Sequence, residues 1–112
     1  MKRQFRLTRS TDFQRVRRYG KSYAHPFLVL IALPNQKDIT RIGVTAGRSV
    51  GNAVQRNRAK RLIRAAIQPY LGRVFPGWDF VLIARHKMNT ADFRQTQESL
   101  NTLLERAELL QS

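Results

Sequence analysis

The sequence predicts a single α+β domain, and three observations carry the prediction. Its 112 residues match one ordinary domain. Strands are signalled by two stretches, Phe27–Leu33 and Phe80–Ala84, that are apolar at every position, and by a third in which Ile42, Val44 and Ala46 alternate with Arg41, Gly43 and Thr45. Helices are signalled by Ala59, Leu62, Ile63, Ala66 and Ile67, and again by Leu100, Leu103, Leu104 and Ala107, which recur at helical spacing.

Taken in order, Ser10 or Thr11 is placed to cap a short helix on which Phe13 and Val16 share a face, and Gly20 stops it. Arg15, Arg17 and Arg18 then fall on the remaining surface. Pro26 to Leu33 is expected to be a central strand covered on both faces, ended by Pro34 and Asn35. A polar turn at Gln36 to Asp38 leads into the alternating strand, which is expected to pair antiparallel with the first. Gly47 to Asn52 reads as a loop. A helix follows from about Ala53 to Gln68, disturbed by Pro69 and stopped by Gly72. Asn57, Lys60, Arg61 and Arg64 gather on the side of that helix away from its apolar residues. The Pro76-Gly77 turn introduces the strand at Phe80–Ala84, and Asn89 with Asp92 is placed to cap a last helix carrying Phe93, Leu100, Leu103, Leu104, Ala107 and Leu110. No repeat, low-complexity tract or linker interrupts residues 1–112, which are expected to form one domain.

The absence of cysteine removes disulfides, thiolate zinc sites and cysteine nucleophiles together. The longest apolar run has seven residues, Phe27 to Leu33, whereas a membrane span needs about 20. Neither a membrane association nor a secretory signal is expected, and the reading is cytoplasmic.

Charge is more telling. Twenty-one Lys and Arg against seven Asp and Glu give a net charge of +14, a field that favours a polyanion. The excess is concentrated: residues 1–25 hold eight basic and one acidic side chain, and residues 47–73 hold seven basic and none acidic. Sixteen of the cations are Arg, whose planar fork grips phosphate oxygens and stacks on bases, so nucleic acid is the partner class. The central helix region is the sharpest case. Arg48, Arg56, Arg58, Lys60, Arg61 and Arg64 follow one another with no carboxylate between them, and such a surface repels itself until phosphates arrive.

The runs Arg41-Ile-Gly-Val-Thr-Ala and Val50-Gly-Asn-Ala-Val-Gln-Arg-Asn-Arg-Ala-Lys-Arg-Leu-Ile-Arg resemble the Arg-Asn-Arg signature region of the protein subunit of bacterial ribonuclease P. The likeness extends to Arg6-Leu, Asp12-Phe-Gln-Arg-Val with Gly20, Phe27-Leu-Val-Leu, and Asp79-Phe-Val-Leu-Ile-Ala-Arg. It implies a two-layer α-β sandwich with a four-stranded sheet, in the order α-β-β-β-α-β-α with a left-handed crossover; the missing strand would be a short one at Lys21 to Ala24. It also implies a ribonucleoprotein endonuclease that removes the 5′ leader of precursor tRNA, with the chemistry carried by the RNA subunit and its Mg2+. The protein would need no metal site, no catalytic residue and no obligate protein partner. By the same resemblance Arg56, Asn57, Arg58, Lys60, Arg61 and Arg64 would meet the RNA subunit, and Phe13 the leader; Arg48 is expected to join the first group, and Arg17, whose guanidinium can stack on a base, the second. The residues alone make Phe13 an ordinary packing residue of a short helix. Two departures from the family pattern stand out. Arg17 occupies a position where many members carry a second aromatic, and Gly47-Arg48-Ser49 replaces the common Ser-Lys-Lys.

Other functional classes fit less well. Gly47-Arg-Ser-Val-Gly51 with Asp79 and His86 follows the order of a hydrolase triad, but the chain is too short for that fold. Gly47 and Gly51 are expected instead to let backbone N–H groups face phosphate at a helix start. The seven carboxylates are expected to lie mostly away from the basic segments, forming no metal cluster, and His25 and His86 are isolated. Composition and periodicity alone are equally satisfied by a small ribosomal or general RNA-binding protein.

Overall fold

The computed structural model describes residues 2–111. Its elements run α1 (Ser10–Tyr19), β1 (Lys21–Ala24), β2 (Leu28–Pro34), β3 (Arg41–Ala46), α2 (Ala53–Ile67), β4 (Trp78–Ala84) and α3 (Phe93–Arg106), the expected order, with short 3-10 segments at Arg3–Phe5, Gln68–Tyr70 and His86–Thr90. All four strands form one sheet in the order β1-β2-β4-β3.

That order corrects the expected pairing of β2 with β3. β4 lies between them, antiparallel to β2 from Leu28↔Ala84 to Pro34↔Trp78 and parallel to β3 from Arg41↔Asp79 to Ala46↔Ala84. The reason lies in the side chains. β2 and, from Phe80 onwards, β4 are apolar on both faces and belong side by side in the middle of the sheet. β3 carries Arg41, Gly43 and Thr45 on one face and sits at the edge, and α2 provides the crossover that a parallel neighbour requires.

Two unequal layers cover the sheet. On one face α2 buries Ala59, Ile63, Ala66 and Ile67, and α3 buries Leu100, Leu103 and Leu104, against Leu28, Leu30, Ile42, Phe80 and Leu82. On the other, α1 closes only a small cluster of Leu7, Val16, Ile31 and Val81 and leaves Phe13, Val29, Leu33 and Ile83 half-buried. A helix of ten residues is about 15 Å long and cannot span the sheet. The expected coverage of β2 on both faces therefore holds at Ile31 but not at Val29 or Leu33.

The helix ends differ in detail from expectation. Arg9, not Ser10 or Thr11, takes the cap position of α1, and no side chain caps it. Asp92 caps α3 in a reciprocal box with Gln95, each side chain accepting from the other's backbone N–H. Asn89 instead donates its amide to Val50 O at 2.6 Å. Phe93 stays 44% exposed, and Leu110 lies beyond the helix in a bridge to Val74. The Gly20 stop is as expected.

Candidate nucleic-acid interface

α2 is locked at its start by Asn52, whose side chain accepts from Gln55 N at 2.9 Å while Gln55 Oε1 accepts from Asn52 N at 2.9 Å. Gly51 precedes it with φ +141°, and a Cβ there would run into the Gln55 side chain. Its N–H donates to Arg48 O at 3.1 Å, so this glycine supplies a backbone angle rather than the free amide for phosphate expected of it. With the core face turned inward, Asn57 and Arg61 are exposed, and Arg56, Lys60 and Arg64 are half-buried along its flanks. Arg48 is exposed on the preceding loop. Arg58 behaves differently. Its guanidinium donates to Ala91 O at 2.8 Å and Met88 O at 3.4 Å, tying α2 to the segment before α3. The structure thus places six of the seven residues expected to meet the RNA subunit on one helix, and holds one of those six against the protein's own backbone.

Phe13 and Arg17, the two residues expected to meet the leader, lie side by side. Both line an open cleft of about 370 Å³ between α1 and the sheet, with Ser10, Gln14, Val44 and Thr45, and no carboxylate borders it. The far edge of the Phe13 ring closes on Gly43: a Cβ there would come within 2.5 Å of its Cζ. Only glycine at that point of β3 lets an aromatic ring settle so low on the sheet. Phe13 both packs on the small cluster and opens onto the cleft, while Arg17, one turn on, is exposed.

Sequence reasoning missed the anchor of α1. Asp79 is fully buried, and its carboxylate accepts from Arg41 Nε at 2.9 Å, Arg41 Nη2 at 2.8 Å, Asn35 Nδ2 at 2.9 Å and Arg15 Nη2. Arg15 also reaches Asp12 at 3.3 Å. Burial alone would raise the Asp79 carboxyl, but hydrogen bonds from Arg41, Asn35 and Arg15 outweigh it and hold the group below its ordinary range. Hydrogen bonds to Asp79 in turn raise Arg15 and Arg41 despite partial burial. Arg15 keeps the surface position expected of it but is engaged by Asp12 and Asp79, and these two of the seven carboxylates are exceptions to the expected separation from the basic residues. The signal was a lone carboxylate leading an all-apolar strand, which demands a cationic partner.

At the other end of the sheet, His86 sits beside the Gly47–Asn52 loop, its Nδ1 3.1 Å from Ser49 O, and Arg85 and Lys87 line a cleft with it. These cations were not anticipated. The arrangement also disposes of the triad reading: His86 meets a backbone carbonyl, and Asp79 lies five residues up β4 from Ala84, about 17 Å away. His25 is likewise occupied, accepting from Phe27 N at 3.1 Å, and its pKa is lowered by burial and by the nearby Arg106 and Lys87.

Comparison with known proteins agrees with this fold. The ribonuclease P family model matches residues 1–108. The ribonuclease P protein component of Herpetosiphon aurantiacus is 39% identical over 109 residues, covering 97% of this chain and 89% of the relative. That of Chloroflexus aurantiacus is 40% identical over 111 residues, covering 98% and 82%. Among solved structures, the Staphylococcus aureus RNase P protein superposes with a TM-score of 0.85 at 31% identity, covering 95% of this chain and 97% of that one. The Thermotoga maritima RNase P protein gives 0.80 at 32% identity, covering 90% and 96%. With sequence and fold in agreement over nearly its whole length, the chain belongs to the family of ribonuclease P protein components, the protein subunits of a tRNA-processing ribonucleoprotein endonuclease.

Proposed function

We propose that this chain binds the RNA subunit of ribonuclease P through Arg48 and the outward residues of α2, Arg56, Asn57, Lys60, Arg61 and Arg64, with Arg58 bracing that helix. In the same complex it holds the single-stranded 5′ leader of precursor tRNA in the cleft of Phe13 and Arg17. The observation that carries this reading is that cleft: an aromatic and a guanidinium one turn apart, bordered by no carboxylate, along the strand whose end leads into α2. A stacking ring accepts any base, and a guanidinium adds both stacking and charge, which suits a strand of varying sequence.

Hydrolysis of the phosphodiester is assigned to the RNA subunit and its Mg2+. The carboxylates near the cleft do not suit a divalent ion, since Asp12 and Asp79 are both engaged by Arg15 and Arg41. Among the described residues no three His, Asp or Glu side chains converge. The protein's part is to bind, align and offset phosphate repulsion. This reading places the chain in the cytoplasm, in keeping with helices too short or too polar to cross a membrane, and requires no protein partner.

The test is reconstitution. Protein freed of RNA should cleave nothing, and added to its RNA subunit it should raise precursor cleavage most at low Mg2+, where phosphate repulsion is least screened. Cleavage by rigorously RNA-free protein would overturn the assignment.

A further inference from the structure

A second and larger cleft, of about 670 Å³, lies at the opposite side of α1 from Phe13. Its floor is the network already described, with Arg15 and Arg41 held by Asp12 and the buried Asp79. Its rim carries Arg6, Arg9 and Lys37, which form no ion pair among the described residues. Five cations thus face two carboxylates, and the two carboxylates are spent on the floor. A concentration of like charge around a concave surface is unfavourable unless an anion fills it.

β3 relates this cleft to the other surfaces. The strand runs from Arg41, at this cleft, past Gly43, where the Phe13 ring rests, to Thr45 in the Phe13 cleft, and then to the loop bearing Arg48 and the start of α2. Arg41 to Thr45 is about 13 Å, and Thr8 borders both clefts. A single strand that begins near α2 and stacks on Phe13 is therefore aimed at Arg6, Arg9 and Lys37.

We propose that this rim is a further binding site for the phosphodiester backbone of single-stranded RNA, taking the part of the leader that lies beyond Phe13. The proposal rests on the leader reading above. The site contributes charge rather than base recognition: it has no aromatic lining, and its cations lie on exposed residues free to follow the backbone. Binding there is accordingly indifferent to leader sequence and sensitive to leader length and salt.

The experiment uses the reconstituted holoenzyme, with wild-type protein or the triple variant Arg6→Ala, Arg9→Ala, Lys37→Ala, and precursor tRNAs whose leaders are lengthened one nucleotide at a time. With wild-type protein, affinity should rise as the leader grows past Phe13 and then level off. The triple variant should match wild type on short leaders and lose the late rise, on the order of tenfold at low salt, with a salt slope shallower by about 2 if three phosphates are contacted. All three residues are exposed, so melting temperature should hold, and binding to the RNA subunit alone should not change. An unaltered length profile, or equal weakening for every leader and for the RNA subunit, would overturn the proposal. The Phe13→Ala holoenzyme separates the two levels. If it leaves the ratio of precursor to mature tRNA affinity unchanged, the leader reading itself is wrong; if that ratio falls while the triple variant keeps the late rise, only the second site is wrong.

Discussion

Replacing Asp79 by Asn probes the network that anchors α1. Asparagine keeps the shape, loses the charge and turns an N–H2 group towards at least one guanidinium. Four hydrogen bonds reach the carboxylate, three of them from Arg, and breaking a buried ion pair by removing one partner costs about 3–5 kcal/mol. Arg15 and Arg41 keep 35% and 21% of their side-chain surface exposed, so water recovers part of that cost, and the net loss should be about 2–4 kcal/mol. For a domain of this size the melting temperature should fall by roughly 10–20 °C. pH supplies an independent check. The folded carboxyl titrates below its ordinary value of 3.8, so its contribution is fully present above the unfolded pKa and is lost as pH falls through the folded one. Urea unfolding of both proteins should therefore show a constant gap at neutral pH that narrows below about pH 4. A variant within about 0.5 kcal/mol of wild type at pH 7, or parallel curves through the acid range, would refute the anchor.

Three further outcomes follow from the same contacts. Arg61→Ala with Arg64→Ala should leave the melting temperature unchanged but weaken RNA-subunit binding, reducing the slope of log K against log salt by roughly 0.7–0.9 per lost phosphate, measured by filter binding. Arg58→Ala should instead lower stability by about 1–3 kcal/mol in chemical denaturation, because the Ala91 carbonyl loses its donor and the Met88 carbonyl keeps only the Ala91 N–H. Gly43→Ala should displace the Phe13 ring, costing about 1–3 kcal/mol and weakening precursor more than mature tRNA in paired titrations.

The fold was legible where one segment decides its own structure. β2, β4, α2 and α3 announced themselves through apolar runs and helical spacing, because each buries a face whose pattern is local. β1 was not, since Lys21–Ala24 has little pattern of its own and is a strand by virtue of pairing with β2. The place of β4 was present in the sequence but overlooked: two all-apolar strands belong together at the centre, and an alternating one at the edge. For the site, the basic helix could be read from charge alone. At Asp79 the sequence signals the need for a cation but not which one, because its Arg partners stand 64 and 38 residues away. Phe13 was ambiguous for a physical reason, as it both packs on the small cluster and lines the cleft.

The central claim, that α1 and the sheet hold the leader while α2 holds the RNA subunit, is tested most directly by Phe13→Ala. Holoenzyme carrying the variant is titrated with precursor and mature tRNA, with melting temperature recorded beside binding because the ring also packs on Gly43. Stacking on an aromatic is worth about 1–3 kcal/mol per base, so a folded variant should bind precursor roughly 5- to 150-fold more weakly while its affinity for mature tRNA and for the RNA subunit holds. Equal weakening for both tRNAs, or none for either, would contradict the account and leave Phe13 as a packing residue alone.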